Sequence, residues 1–158
     1  MENELQVLLA NLMISKSNVQ LIHWNLYGNE FQSTHSDITN EMYNKIDDDI
    51  DRVAEMCTRL NIRVLNYFDV IKVIKENEDF KPIVISSDQM FNKDECYTKL
   101  DSIYGSILKT IENAWESDDI KDNISNIGIR SDLESMHNEY DIQYRFINKR
   151  KIKNNDMF

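Results

Sequence analysis

Residues 23–55 read HWNLYGNEFQSTHSDITNEMYNKIDDDIDRVAE. Two histidines, His23 and His35, stand 12 positions apart near the start, and two carboxylates, Asp51 and Glu55, stand four apart at the end. Between and beyond them the apolar residues Ile38, Met42, Ile46, Ile50, Val53 and Cys57 step mostly by three or four. That is the period of one helix face. The pattern predicts a helix over roughly 35–60, with Asp47, Asp51 and Glu55 in an i, i+4 row beside its apolar stripe. Ions such as Fe2+ accept both imidazole and carboxylate ligands. His23, His35, Asp51 and Glu55 are therefore candidate ligands of one metal site between packed helices.

Each of these residues also has a plainer reading. Asp51 and Glu55 follow Asp47, Asp48 and Asp49, so they read equally as part of a solvated acidic face. Like charges one turn apart destabilise a helix by about 0.2–0.5 kcal/mol, a sign that a bound cation would reverse. His23 adjoins an apolar stripe, where a histidine is commonly a packed, hydrogen-bonded side chain. His35 stands where it could cap a helix. Glu134 and His137 form a Glu-x-x-His motif, but a di-iron centre inside one bundle needs two such motifs and two further glutamates. A second Glu-x-x-His is absent, and these two residues read as structural.

Outward from this stretch the chain is helical in pattern. Leu5, Leu8, Leu12, Val19, Ile22 and Leu26 mark a first helix over about 4–27, ended by Gly28. Asn61 stands where a helix-ending Gly would be usual. Residues 62–90 are a long connection with room for a short helix around 64–75 and a loop holding Pro82. A third helix is expected over about 90–117, capped by Asp88 or Asn92, and a fourth over about 120–149. Ser117, Asp118 and Asp119 break the third and cap the fourth, and Gly128 favours a kink in the fourth. The expectation is an all-α fold: one four-helix bundle over residues 1–150, with a long crossover between the second and third helices that contains a short helix. That crossover permits ferritin-like connectivity. Residues 151–158 read as a flexible basic tail.

Composition agrees. The 158 residues suit one domain, and 3 Gly with 1 Pro favour long helices over a turn-rich β fold. A net charge of −10, from 28 acidic and 18 basic residues, repels nucleic acid and attracts cations. Cys57 and Cys96 form no CxxC pair and read as buried thiols in a reducing compartment. There is no basic signal region and no run of about 20 apolar residues. The expected location is cytoplasmic, with no membrane partner.

The residues His23, Trp24, Gly28, Phe31, His35, Asp51, Ala54, Glu55 and Leu60 together resemble the Dps family, the ferritin-like mini-ferritins that protect DNA during starvation. In outline the resemblance continues through the acidic turn ENAWESDDIKDNIS and the last helix. It implies a hollow homo-dodecamer with an iron site at a two-fold interface, His23 and His35 from one subunit and Asp51 and Glu55 from its mate. It implies a ferroxidase that oxidises Fe2+, preferably with hydrogen peroxide, and stores Fe3+ as mineral, which gives a role in iron homeostasis under oxidative stress. Trp24 resembles a tryptophan that takes up stray oxidising equivalents, or else anchors the interface. Asp118, Asp119 and Asp122 resemble the acids of iron-entry pores, or else cap a helix.

There are departures from the family. An acidic residue usually stands four after the second histidine, and here that position is Thr39. One extra residue lies between His35 and Asp51, so Asn40 is a second candidate for the place and Asp37 a third, or the fifth ligand is missing. Tyr27 replaces a common Lys, and Asn61 replaces a Gly. These departures keep two alternatives open: a non-catalytic cage, and a DNA-compacting protein that uses Lys149, Arg150, Lys151 and Lys153. The acidic charge of each copy argues for weak DNA binding or none.

Overall fold

A computed structural model describes residues 3–151. Helix α1 spans Glu4–Trp24, opened by a capping box in which Asn3 and Gln6 satisfy each other's backbone. Its end comes before Gly28. The Asn25 amide bonds the carbonyls of Leu21 and Ile22, and its side chain donates to Gln89 O at 3.0 Å, which pulls the chain off the helix axis. Gly28 takes φ +93° in the turn that follows.

The second long helix is continuous but not uniform. It runs as α2 (Phe31–Ser33), a π-helical segment (Thr34–Asn40) and α3 (Glu41–Arg59). His35 thus lies within helix rather than capping it. Asn61 adopts φ 56°, the left-handed conformation that ends helices, which Asn tolerates better than most residues. The crossover carries α4 (Tyr67–Glu76), capped by Asn66, and then a stretch without regular secondary structure that includes Pro82. Helix α5 (Lys93–Glu116) is capped by Asn92 and Glu95, not by Asp88. Helix α6 (Asp118–Lys121) and a 3-10 turn (Ile124–Asn126) precede α7 (Ile127–Lys151). The fourth long helix therefore starts seven residues later than its apolar pattern suggests. Gly128 falls in its first turn and kinks nothing.

The order of the elements sets the topology. Tyr27 N donates to Phe91 O and Phe91 N donates to Asn25 O, which ties the end of α1 to the start of α5. The crossover has therefore returned along the length of the bundle, and α3 and α5 run in the same direction. Helix α1 packs on α3, α4 and α5, and α5 packs on α7. The core joins the apolar stripes of all four long helices, including Leu8, Ile22, Ile46, Val53, Ile107 and Met136. This is the expected four-helix bundle with a long crossover. Among the described residues, no helix is long and apolar enough to cross a membrane. Lys149, Arg150 and Lys151 belong to α7, while Lys153 and the rest of the expected tail lie outside the described residues.

One charge is placed differently from the acidic-face reading. Asp49 is fully buried, whereas its neighbours Asp47 and Asp48 are exposed. Adjacent residues on an α-helix are rotated by about 100°, so three in a row cannot share one solvated face. Asp49 accepts from Lys45 Nζ at 2.7 Å and Arg52 NH1 at 2.8 Å, and both cations also reach Glu139 on α7. Burial, and then the charge of Asp49, push the phenol of Tyr140 well above its ordinary pKa.

Candidate metal centre

His23 sits in the last turn of α1 and His35 in the π segment, and the packing of α1 against that segment stacks the two rings. Their centroids are 3.6 Å apart at 27°. His23 is buried, and His35 is half-buried. Tyr43 meets His23 edge-on at 5.2 Å, and Phe31 lies against His35 at 4.9 Å. Desolvation first, and then the neighbouring His35, lower the pKa of His23, while a backbone bond from His35 opposes them. A lowered pKa favours the neutral imidazole, the form that ligates a metal.

Asp51 and Glu55 are exposed on α3, on the same helical run as His35. His35 and Asp51 stand sixteen positions apart. At about 1.5 Å per residue that is more than roughly 20 Å along the axis. No pair of side chains spans such a gap to share one ion. Consistently, among the described residues no three of His, Cys, Asp and Glu come close enough to hold a metal. One chain thus brings the two histidines together and keeps the two acids apart from them.

The π segment falls largely between His35 and Asp51 and changes the way they face. A π turn takes up one more residue than an α turn. A regular helix would place Asp51 about 160° around the axis from His35, facing nearly the opposite way. With one residue absorbed, the two lie within about 60° and face the same side.

Of the three candidates for a fifth ligand, none adds a carboxylate to the histidine pair. Asp37 borders a different cavity of about 480 Å³, shared with Glu41, Lys45 and Glu139. Asn40 accepts from Tyr43 OH at 2.7 Å. Thr39 is fully buried, with Oγ1 at 2.8 Å from His23 Nδ1. Tyr43 was not singled out from the sequence; its one signal is its spacing, four after Thr39 and eight after His35.

The remaining candidates fall outside the pair. Trp24 is 69% exposed beside His23, with Tyr27 and Phe31 also exposed nearby in sequence. Glu134 accepts from Trp115 Nε1 at 3.0 Å, and His137 Nε2 lies 3.1 Å from Glu112, so both tie α7 to α5. Asp118, Asp119 and Asp122 are exposed, and Asp119 accepts from Asn3 Nδ2 at 3.1 Å.

In sequence comparisons no family model matches the chain, and no curated protein matches it. Solved structures do. The Helicobacter cinaedi protein CAIP is 20% identical, with a TM-score of 0.80 over 94% of this chain and 97% of its own. Dps from Staphylococcus aureus is 19% identical, with a TM-score of 0.76 over 95% of this chain and 93% of its own. A Dps protein from Vibrio cholerae, described as a member of a broad superfamily of ferritin-like diiron-carboxylate proteins, is 20% identical, with a TM-score of 0.78 over 92% and 85%. The chain therefore has the ferritin-like, all-α fold of the Dps structures.

Proposed function

We propose that this chain is a Dps-like iron-sequestering ferroxidase, built as a cage of twelve copies with its iron sites at two-fold contacts. The observation that carries this reading is the split ligand set. His23 and His35 are stacked at one end of the π–α3 run, and Asp51 and Glu55 face the same side more than roughly 20 Å away. Two copies related by a two-fold axis bring the histidine end of each onto the acidic end of the other, which completes two equivalent sites. Two imidazoles and two carboxylates make a donor set that suits Fe2+.

The surface also favours pairing. Trp24, Tyr27 and Phe31 are exposed next to the histidine end, and α4, packed on α1, exposes Tyr67, Phe68 and Ile71. Aromatic residues left open in this way are characteristic of interface cores. Trp24 serves there as an anchor and as an oxidisable indole close to the iron. Each hydrogen peroxide takes two electrons, one from each of two Fe2+ ions, and two protons from solvent, and leaves as two waters; the ferric product is stored within the cage. DNA plays little part: the chain carries −10, and Lys151 is already paired with Asp101 at 2.8 Å.

The test is Fe2+ oxidation by hydrogen peroxide, followed by ferric absorbance, on particles sized by light scattering. His23→Ala and Asp51→Ala are each expected to slow it by about tenfold or more, since even outer partners of metal ligands are worth about 10–100-fold. Thr39, a neutral residue where the resembled family has an acid, favours a second reading: the same cage with slow oxidation. Wild-type protein that assembles but oxidises no faster than these variants would establish that second reading.

A further inference from the structure

Thr39 is more than a lost ligand. Its Oγ1 lies 2.9 Å from the carbonyl oxygen of His35, 3.3 Å from that of Thr34 and 2.8 Å from His23 Nδ1. A hydroxyl carries one proton, and carbonyl oxygens only accept. The Thr39 proton therefore goes to a carbonyl, the His35 oxygen being nearer. Oγ1 is left with lone pairs facing His23 Nδ1, and a hydrogen on that nitrogen satisfies the 2.8 Å contact; donation to Nδ1 instead would leave the 2.9 Å contact between Oγ1 and the His35 oxygen without a proton. With Nδ1 protonated and the imidazole neutral, the lone pair of His23 stands on Nε2.

The π segment makes this arrangement available. It places one side chain against the carbonyls four and five residues back while the same oxygen faces α1. Thr39 is fully buried, so no water competes for these bonds. A β-branched side chain also holds χ1 more stiffly than Ser or Asp.

We propose that Thr39 is a positioning residue that holds His23 in the Nδ1–H tautomer and aims the bare Nε2 at the shared iron site proposed for this chain. A ligand whose second ring nitrogen is hydrogen-bonded is fixed in both tautomer and orientation. An acid at this position would act on the ion directly; Thr39 acts on it through His23.

The chain has three histidines, so each is assignable by nitrogen NMR on sedimented, metal-free, 15N-labelled particles, with the His23→Gln variant identifying the His23 signals. Wild type is expected to show His23 protonated at Nδ1 alone. Thr39→Val keeps the shape and removes the hydroxyl; it is expected to give a mixture of tautomers and to weaken Co2+ binding, read by its visible spectrum, by about 10–100-fold. Thr39→Ser restores the hydroxyl and is expected to behave as wild type in both measurements. His23 protonated at Nε2 in wild type overturns the proposal without any variant, as does a Thr39→Val protein with an unchanged tautomer. A wild type that shows the Nδ1–H form, responds to Thr39→Val and yet binds neither Co2+ nor Fe2+ removes the iron-site reading while upholding the Thr39–His23 coupling.

Discussion

Asp49 has no accessible surface, and its two oxygens are divided between Lys45 and Arg52. A buried carboxylate is tolerable only because these cations replace its hydration. Removing it leaves two partly buried cations with Glu139 alone. Asp49→Ala is therefore expected to destabilise the fold by about 2–4 kcal/mol. Asp48→Ala, one residue earlier and exposed, is expected to stay within about 0.5 kcal/mol. Urea unfolding of the two variants checks the difference, and equal losses would contradict it. The sequence hid this contrast. Three consecutive aspartates look alike until Glu139 and Tyr140, some 90 positions later, are seen to pack over one of them. Thr39 was hidden in the same way, since an absent carboxylate signals a lost ligand and says nothing of the hydroxyl bond that replaces it.

At the scale of elements, legibility followed the periodicity. The stripes of α1, α3 and α5 are regular, and their helices fall close to where spacing places them. Spacing failed where the helix type changed. Thr34–Asn40 is apolar at Ile38 alone, so nothing in it distinguishes a π turn from an α turn; the single clue was one surplus residue between His35 and Asp51. The start of α7 was obscured because Ile120, Ile124 and Ile127 continue the three- and four-residue steps through a short helix and a 3-10 turn. Ends were legible where a side chain supplies the cap, with an ambiguity at α5 that the structure resolves in favour of Asn92. Asn92→Ala should then cost about 1 kcal/mol, a drop of about 2–4 °C in melting temperature for a chain of this size. Asp88→Ala should leave the melting temperature within about 2 °C, because Asp88 bonds Ser86 in the preceding turn and no helix end. Reversed magnitudes would return the cap to Asp88.

For the whole molecule the deciding fact is geometric incompleteness. The bundle stacks His23 of α1 on His35 of the π segment and leaves the candidates Asp51 and Glu55 exposed farther along α3, too far away to share an ion with the histidines. The sequence displayed all four candidate ligands, and family resemblance supplied the idea of sharing them; the separation along π–α3 supplies a physical reason for sharing. Trp24 and, on α4, Tyr67 and Phe68 are exposed aromatics, and the proposed pairing would cover them. The proposed isologous contact has a property that no intrachain site shares: each site would draw its histidines from one copy and its acids from the other.

Co-assembly of two inactive variants tests this directly. In particles of His23→Ala alone every site lacks an imidazole, and in particles of Asp51→Ala alone every site lacks a carboxylate. When the two are unfolded together, mixed equally and refolded, half of the pairs are mixed, and each mixed pair carries one doubly damaged site and one intact site. Peroxide-driven Fe2+ oxidation is predicted to return to about a quarter of the wild-type rate. Mixed particles, verified by mass to contain both chains, that stay as slow as either variant alone would show that the histidines and acids do not meet across the two-fold contact.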